Sequence, residues 1–379
     1  MSQNDCRLCH GMIDTPPLLT MAPFPKAAQH YPEPNEFASD QGINLEIHGC
    51  LNCGLLQLSS HPVPYYREVI TAASYSADAR AARLREFGAL VERFCLYGKP
   101  AIEIGSGKGS VVEIMVEAGL DAVGLEYSAD SVAFAAEQGR PLVQGYLTEL
   151  DASFNGRFDA FVSLNYIEHQ PDTRAFIQAL RRITREGAVG YITAPNVSYL
   201  LKTNTLYEFV ADHLVYFTEE TFRRAFECNG FEVLESQLIN DENDIALILR
   251  KRVLQPITGA DEVNRLALSL SAFVAERRAA GGKVAVWGAG HRTLALLAMA
   301  QLGDIEFIVD SADFKQGKFS PVMHSRIVAP TTLAESNIDT VIVMVPGLYP
   351  GEVIKTIRGL GRPFDIYKLH DNRLVQVKA

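Results

Sequence analysis

From Pro100 onward, apolar and polar positions alternate between short apolar runs, glycine turns and amphipathic stretches. Ala101-Ile-Glu-Ile104 closes on Gly105, and Val111–Glu117 carries helical spacing, so this segment reads strand, glycine turn, helix. Val123–Glu126, Phe158–Leu164 and Gly187–Pro195 predict further strands, and Phe231–Ile239 with Asp244–Arg250 a closing hairpin. At Lys283 the pattern restarts. Val284–Trp287 runs into Gly288-Ala-Gly290 and a helix, with strands at Glu306–Asp310, Asp339–Val345 and Phe364–Leu369. Strands alternating with helices predict an α/β protein with two Rossmann-like units. Ahead of them Pro16, Pro17, Pro23, Pro25, Pro32 and Pro34 predict an irregular segment. The expected domains are 1–70, 71–250 and 251–379.

Composition narrows the partners. Apolar residues are 47% and charged residues 21% of 379, as in a folded globular chain, and two or three domains are expected. A net charge of −10 argues against nucleic acid, which needs a basic face, but leaves room for a small anionic ligand held by a few donors. No apolar run of about 18 residues predicts a membrane span. Met1-Ser-Gln-Asn-Asp has no basic or apolar leader character, so a cytoplasmic location is expected.

Four of six cysteines form two C-x-x-C pairs, Cys6/Cys9 and Cys50/Cys53. Two residues between thiolates let both sulfurs of one turn face one ion, and two such turns complete a tetrahedral site suited to structural Zn²⁺. His10 and His48 flank the pairs as alternative ligands. Cys95 and Cys228 are expected in the core.

Glu103-x-Gly105-x-Gly107-x-Gly109 is tighter than the dinucleotide fingerprint and preceded by an acid; Glu126, about 20 residues on, ends the next strand, where a carboxylate can bind ribose hydroxyls. The run resembles motif I of class I S-adenosylmethionine (SAM) methyltransferases. That resemblance implies a turn holding the amino-acid end of SAM, with Glu126 on its ribose. Strand ends at Asn165, His169 and Asn196 are expected around the same crevice.

The order of zinc pairs, SAM turn and second Rossmann-like unit resembles the sugar C-methyltransferases that act on nucleotide-linked keto-deoxysugars. Its carriers are the four cysteines, Tyr75–Arg80, Glu103–Gly109, Asn165–His169, Asp212–Phe217 and the Asp310…Lys315-Gln-Gly-Lys-Phe319 turn. The resemblance implies His213 as the base that removes the proton beside a ketone, His169 as its support, and Tyr75 as a pocket hydroxyl. Asp212 takes the place of the family's glutamate, and the tyrosine of its Y-x-E-H run is Val210 here. Asn165 is implied at the cofactor, and Asn196, Tyr216, Gly290, His291, Arg292 and Lys315 at the nucleotide-sugar substrate. An O- or N-methyltransferase for another small metabolite, a SAM-binding regulator and an NAD oxidoreductase built on Gly288–Asp310 are the alternatives. Thr293 at the sixth fingerprint position weighs against NAD.

Overall fold

A computed structural model describes residues 5–13, 16–29, 31–68 and 75–378. The chain divides into two compact units, Met1–Leu254 and Gln255–Ala379.

The first unit opens with β1 (Leu19–Phe24), β2 (Ile43–Gly49) and β3 (Leu56–Leu58). Then follow α1 (Ala77–Arg93), β4 (Pro100–Ile104), α2 (Ser110–Glu117), β5 (Asp121–Glu126), α3 (Ala129–Glu137) and β6 (Leu142–Gln144). Next come β7 (Phe158–Leu164), α4 (Thr173–Ile183), β8 (Thr184–Pro195), α5 (Val197–Thr203), β9 (Val215–Tyr216) and α6 (Glu219–Glu227). The hairpin β10 (Phe231–Ile239) and β11 (Asp244–Lys251) closes the unit.

Seven strands form one sheet in the order β10-β11-β8-β7-β4-β5-β6. The strands from β8 to β6 run parallel, and β11 joins β8 antiparallel. This is the class I methyltransferase core that the resemblance of the Glu103–Gly109 run implies. Strand order reverses between β4 and β7, so the turns after these two strands flank the crevice where ligands lie in such sheets. Strand alternation divides the core. Ala160, Val162 and Tyr191 pack with Phe87 and Leu90 of α1 and Ile114 of α2. Phe161 and Ile192, on the other face, meet Phe176 and Leu180 of α4 and Phe222 of α6.

The expected segments 1–70 and 71–250 make one compact unit. Strand β9 pairs with β3 and extends the sheet β1-β2-β3. Cys6, Cys50 and Cys53 belong to the same apolar cluster as Phe222 and Phe226. Two expectations about cysteines fail: Cys95 and Cys228 are exposed. Cys95 follows the end of α1 with φ 55°, and Cys228 caps α6, so neither lies on its helix's apolar face.

The second unit contains α7 (Ala260–Ala279), β12 (Val284–Trp287), α8 (His291–Met299), β13 (Ile308–Val309) and β14 (Ile327–Val328). It ends with α9 (Pro330–Glu335), β15 (Thr340–Val343), α10 (Tyr349–Arg358), β16 (Asp365–His370) and β17 (Arg373–Gln376). Its sheet order is β14-β13-β12-β15-β16-β17, parallel except for the last strand. This is a Rossmann-like arrangement with its reversal between β12 and β15. No helix among the described residues is long and apolar enough to cross a membrane.

Gly190 leaves room for a neighbour: a Cβ there would meet the Phe161 ring at 2.1 Å, and that ring is fully buried. Gly190→Ala therefore overpacks the sheet and should cost about 1–3 kcal/mol. Denaturant unfolding measures this, and a second change, Phe161→Leu, should recover part of the loss.

Candidate active site and metal centre

The turn after β4 is held in a conformation that favours glycine. Gly105, Gly107 and Gly109 have φ of 78°, 50° and 77°, in the left-handed region. A Cβ on Gly105 would sit 2.7 Å from the Tyr166 ring. Glu126, buried at the end of β5, ties the turn down: one carboxylate oxygen accepts from Gly107 N–H at 2.8 Å and the other from Ser128 N–H at 2.9 Å. Glu103 is buried just before the turn, and its Oε2 has no hydrogen-bond partner. Burial pushes its pKa up to about 8, Ser106 opposes, and the Glu126 charge adds to the rise. A buried, unpaired carboxyl at a glycine turn fits the cationic end of SAM, which would give it a partner.

Beyond the ends of β7 and β8 lies a cavity of about 390 Å³. Asn165, Tyr166, Glu168, His169, Asp212 and His213 line it, with Ala28, Gln29, Tyr65, Tyr66 and Glu68 from the N-terminal segment. The His169 and His213 rings meet edge to face with centroids 4.8 Å apart. A carbonyl can only accept, so His169 Nδ1–H donates to Asp212 O (3.0 Å), which leaves its Nε2 with a lone pair. Burial and neighbouring His169 push His213 down to about 3, and burial also lowers His169. His213 is therefore neutral at any ordinary pH. The two histidine segments are joined by Leu214 N–H donating to Glu168 O at 2.7 Å. Asp212 Oδ1 accepts from Ala28 N–H at 2.6 Å, which fixes the N-terminal segment as a cavity wall.

The four paired cysteines converge. Cys6 and Cys53 sulfurs are 3.5 Å apart, as are those of Cys9 and Cys50, and all four lie within 4.8 Å of one another. Tetrahedral zinc with Zn–S of about 2.3 Å needs sulfurs roughly 3.8 Å apart, so the set fits. The two turns match: His10 N–H donates to Cys6 O (2.9 Å) and Gly54 N–H to Cys50 O (2.8 Å), with φ of 59° and 78°. His10 is not among the ligands; its Nε2 lies 3.1 Å from Asp172. His48 faces Glu46.

The second unit repeats the first unit's device. Asp310 Oδ2 accepts from Ala289 N–H in the Gly288 turn (2.7 Å), and Oδ1 from Ala312 N–H (2.9 Å). Lys315 Nζ pairs with Asp310 at 3.0 Å. A cavity of about 670 Å³ is lined by Gly288, Gly290, His291, Arg292, Asp310 and Lys315 among others. Thr293 is buried where a dinucleotide site has glycine or alanine.

The expected residues fall into three groups. Glu103, Gly105, Gly107, Gly109 and Glu126 form one turn; Asn165, His169, Asp212 and His213 share one cavity; Gly290, His291, Arg292 and Lys315 share another. Tyr75 lies apart from the histidines, in a cavity with Arg83, Glu86, Asn165, Thr193 and Asp244. Asn165 is committed on both sides, accepting from Thr193 Oγ1 (2.6 Å) and donating to Asp244 (3.1 Å). Asn196 is a buried cap of α5, its oxygen accepting from Ser198 N–H and its amide donating to Glu242 O. Tyr216 is a buried brace whose hydroxyl bonds both N–H and C=O of Val210. Gln29 and Glu68 carry no local signal, since only chain folding brings them to the histidines; Tyr65 and Tyr66, which lie close to Tyr75 in the sequence and compete with it as pocket hydroxyls, are the readable part of this wall.

Two family models match the chain. Residues 77–236 match the methyltransferase domain family, and residues 236–356 match the C-methyltransferase C-terminal domain family. The ubiquinone biosynthesis O-methyltransferase of Methylococcus capsulatus is 31% identical over 115 residues, 28% of this chain and 48% of that protein. The enzyme of the same name from Cronobacter sakazakii is 30% identical over 107 residues, 27% and 44% of the two chains. This chain thus spans about half the length of the curated relatives it matches. Among solved structures, magnesium protoporphyrin IX methyltransferase from Synechocystis with bound SAH gives a TM-score of 0.38 at 16% identity, covering 48% of this chain and 90% of that one. A SAM-dependent methyltransferase from Clostridium acetobutylicum gives 0.39 at 13%, covering 50% and 96%. Sheet order, glycine turn and matched families together define a SAM-dependent methyltransferase domain.

The state of Glu103 has a consequence for stability. The fold holds it neutral up to about pH 8, whereas an unfolded chain ionises it near 4.5. Unfolding therefore releases a proton between these values, and the stabilisation present below about pH 4.5 is lost as pH rises towards 8. Glu103→Gln should gain stability relative to the parent over that window. Denaturant unfolding at pH 5, 6.5 and 8 checks it, with SAM left out.

Proposed function

We propose that the protein is a SAM-dependent C-methyltransferase that methylates the carbon beside the ketone of a nucleotide-diphosphate-linked keto-deoxysugar. The observation that carries this reading is the pair of neutral imidazoles, His169 and His213, in a cavity at the sheet's switch-point edge. A hydroxyl acceptor is already polar and needs little help; a carbon acceptor needs a base. His213 takes the α-proton: the C–H bond breaks, an N–H bond forms, and the electron pair passes into an enolate. His169, oriented by the Asp212 carbonyl, keeps the His213 ring in place. The Glu103–Gly109 turn would hold SAM, with Glu126 at its ribose, and the bound sulfonium would supply the methyl group to the carbanion, its S–CH3 bond breaking to leave S-adenosylhomocysteine. Arg292 and Lys315 give the second unit cationic donors for an anionic ligand. The cysteine cluster holds structural Zn²⁺ and thereby fixes the N-terminal wall of the cavity.

A second reading is O-methylation, favoured by the ubiquinone biosynthesis relatives. The His213→Ala variant separates the two. Carbon methylation should lose about 10²–10⁴-fold in kcat, whereas an O-methyltransferase should lose only a small factor. The substrate claim is tested by incubating protein and SAM with a panel of 4-keto sugar nucleotides and following methyl transfer by NMR. Methylation of an unrelated acceptor, with none of the panel turned over, would sink it.

The metal assignment makes its own prediction. Purified protein should carry about one zinc per chain by elemental analysis. Cys53→Ser should lower both the zinc content and the melting temperature. A full-strength melt with no metal bound would contradict a structural zinc.

A further inference from the structure

His213 leaves a chemical problem unsolved. A base held near pKa 3 is weak, so proton removal beside a ketone demands strong stabilisation of the enolate oxygen. Among the described residues of the cavity, one fully buried side-chain oxygen lacks a hydrogen-bond partner. Glu168 sits in the single turn Ile167–His169 that follows β7, only 2% exposed, and its Oε2 has no hydrogen-bond partner. Its backbone is fixed by Leu214 N–H, so the side chain is carried on the same staple that holds His213. It lines the cavity with both histidines, and a carboxyl oxygen lies within 4.8 Å of a nitrogen of each ring.

That spacing suits a base and an oxyanion donor acting on neighbouring atoms. A base reaches the proton on carbon at about 3 Å, while a donor sits about 2.7–3.1 Å from the adjacent oxygen. The two groups are then a few ångströms apart, and the Glu168 oxygen lies within 4.8 Å of a His213 nitrogen. We propose, on the footing of the C-methyltransferase reading above, that Glu168 is a catalytic residue whose neutral carboxyl O–H donates a hydrogen bond to the enolate oxygen while His213 holds the α-proton. The proton of Glu168 stays on its own oxygen and strengthens its bond as charge develops, so the step balances with one proton moved, from carbon to imidazole.

Protonation of the carboxyl supports this. Burial pushes Glu168 up to about 8, with the Asp244 charge adding to the rise. The groups that face it are His169 on its own turn, Asp212 and His213 on the facing loop, Tyr216 on β9, Asp244 on β11, and Tyr66 and Glu68 across the cavity. A donor must keep its proton, so activity should fall as pH rises through about 8. An acid serving only as a structural spacer has no reason to impose that limb.

The test compares Glu168→Gln, Glu168→Ala and the unaltered full chain, on the 4-keto sugar nucleotide that the unaltered protein methylates. SAM is saturating, so that the titration of Glu103 does not intrude, and calorimetric SAM affinity reports whether each variant is folded. An amide also donates but does not ionise. Glu168→Gln should therefore keep kcat within about tenfold and lose the alkaline limb, and Glu168→Ala should lose about 10²–10³-fold in kcat with KM little changed. The inference is overturned if Glu168→Gln retains the alkaline limb, or if Glu168→Ala binds SAM normally and keeps its kcat. Micromolar binding of Mn²⁺ or Zn²⁺ that is lost in Glu168→Gln would also overturn it, by making Glu168 and the histidines a metal site. No turnover of any keto sugar nucleotide by the unaltered protein overturns the proposed function, and this inference with it.

Discussion

A single hydrogen-bonding device organises both units: a carboxylate at the end of the second strand reaches back to the glycine turn that follows the first. In the methyltransferase domain Glu126 joins Gly107 N–H to Ser128 N–H; in the second unit Asp310 joins Ala289 N–H to Ala312 N–H. In each case one oxygen holds the turn and the other holds the backbone two residues past the acid. The acceptor is charged and the donors are backbone amides, which makes these bonds stronger than neutral ones. Without them a turn of left-handed glycines would cost more conformational entropy to order. The crevice is therefore preorganised before any ligand arrives.

The two copies of this device have diverged in what surrounds them. In the first, Glu103 leaves a buried carboxyl oxygen unpaired, a need that a proton or a donor on a bound cationic ligand meets. In the second, Lys315 stands beside Asp310, and His291 and Arg292 stand at the start of α8. One turn is thus short of positive charge and the other is provided with it. A sulfonium cofactor and an anionic ligand are the complements of these two environments, and the net charge of −10 carries neither signal because it sums over the whole surface.

Much of this was legible in the sequence because it rests on local rules. Strand, glycine turn and acid recur at fixed spacing, so β4, β5, β7, β8 and the β10–β11 hairpin appear within a few residues of their expected bounds. The two C-x-x-C pairs are readable for the same reason, since each turn is made by consecutive residues. What was not legible depends on contacts between distant segments. Tyr216 and Asn196 are polar residues near strand ends, and nothing in their spacing distinguishes a ligand contact from a brace. Folding commits the Tyr216 hydroxyl to Val210 and the Asn196 amide to the α5 cap. The expected boundary near residue 70 lies outside the described residues, and the pairing across it, of β3 with β9, rests on a two-residue strand with no pattern of its own.

That last contact carries a functional meaning. Strand β9 begins two residues after His213, and its partner β3 belongs to the segment that carries Cys50 and Cys53. Leu214 itself bonds in both directions, donating to Glu168 and accepting from Leu58 N–H. The cysteine cluster, β3, β9 and the Glu168 turn therefore form one continuous hydrogen-bonded path from the metal-binding turns to the imidazoles. On the reading above, the metal-binding cysteines bear on the chemistry through this path: the Cys50–Cys53 turn anchors β3, β3 registers β9, and β9 follows His213. A weak base and a neutral acid help each other only at a fixed separation, and rigidity at that distance is what a structural metal on a small, proline-rich segment can supply.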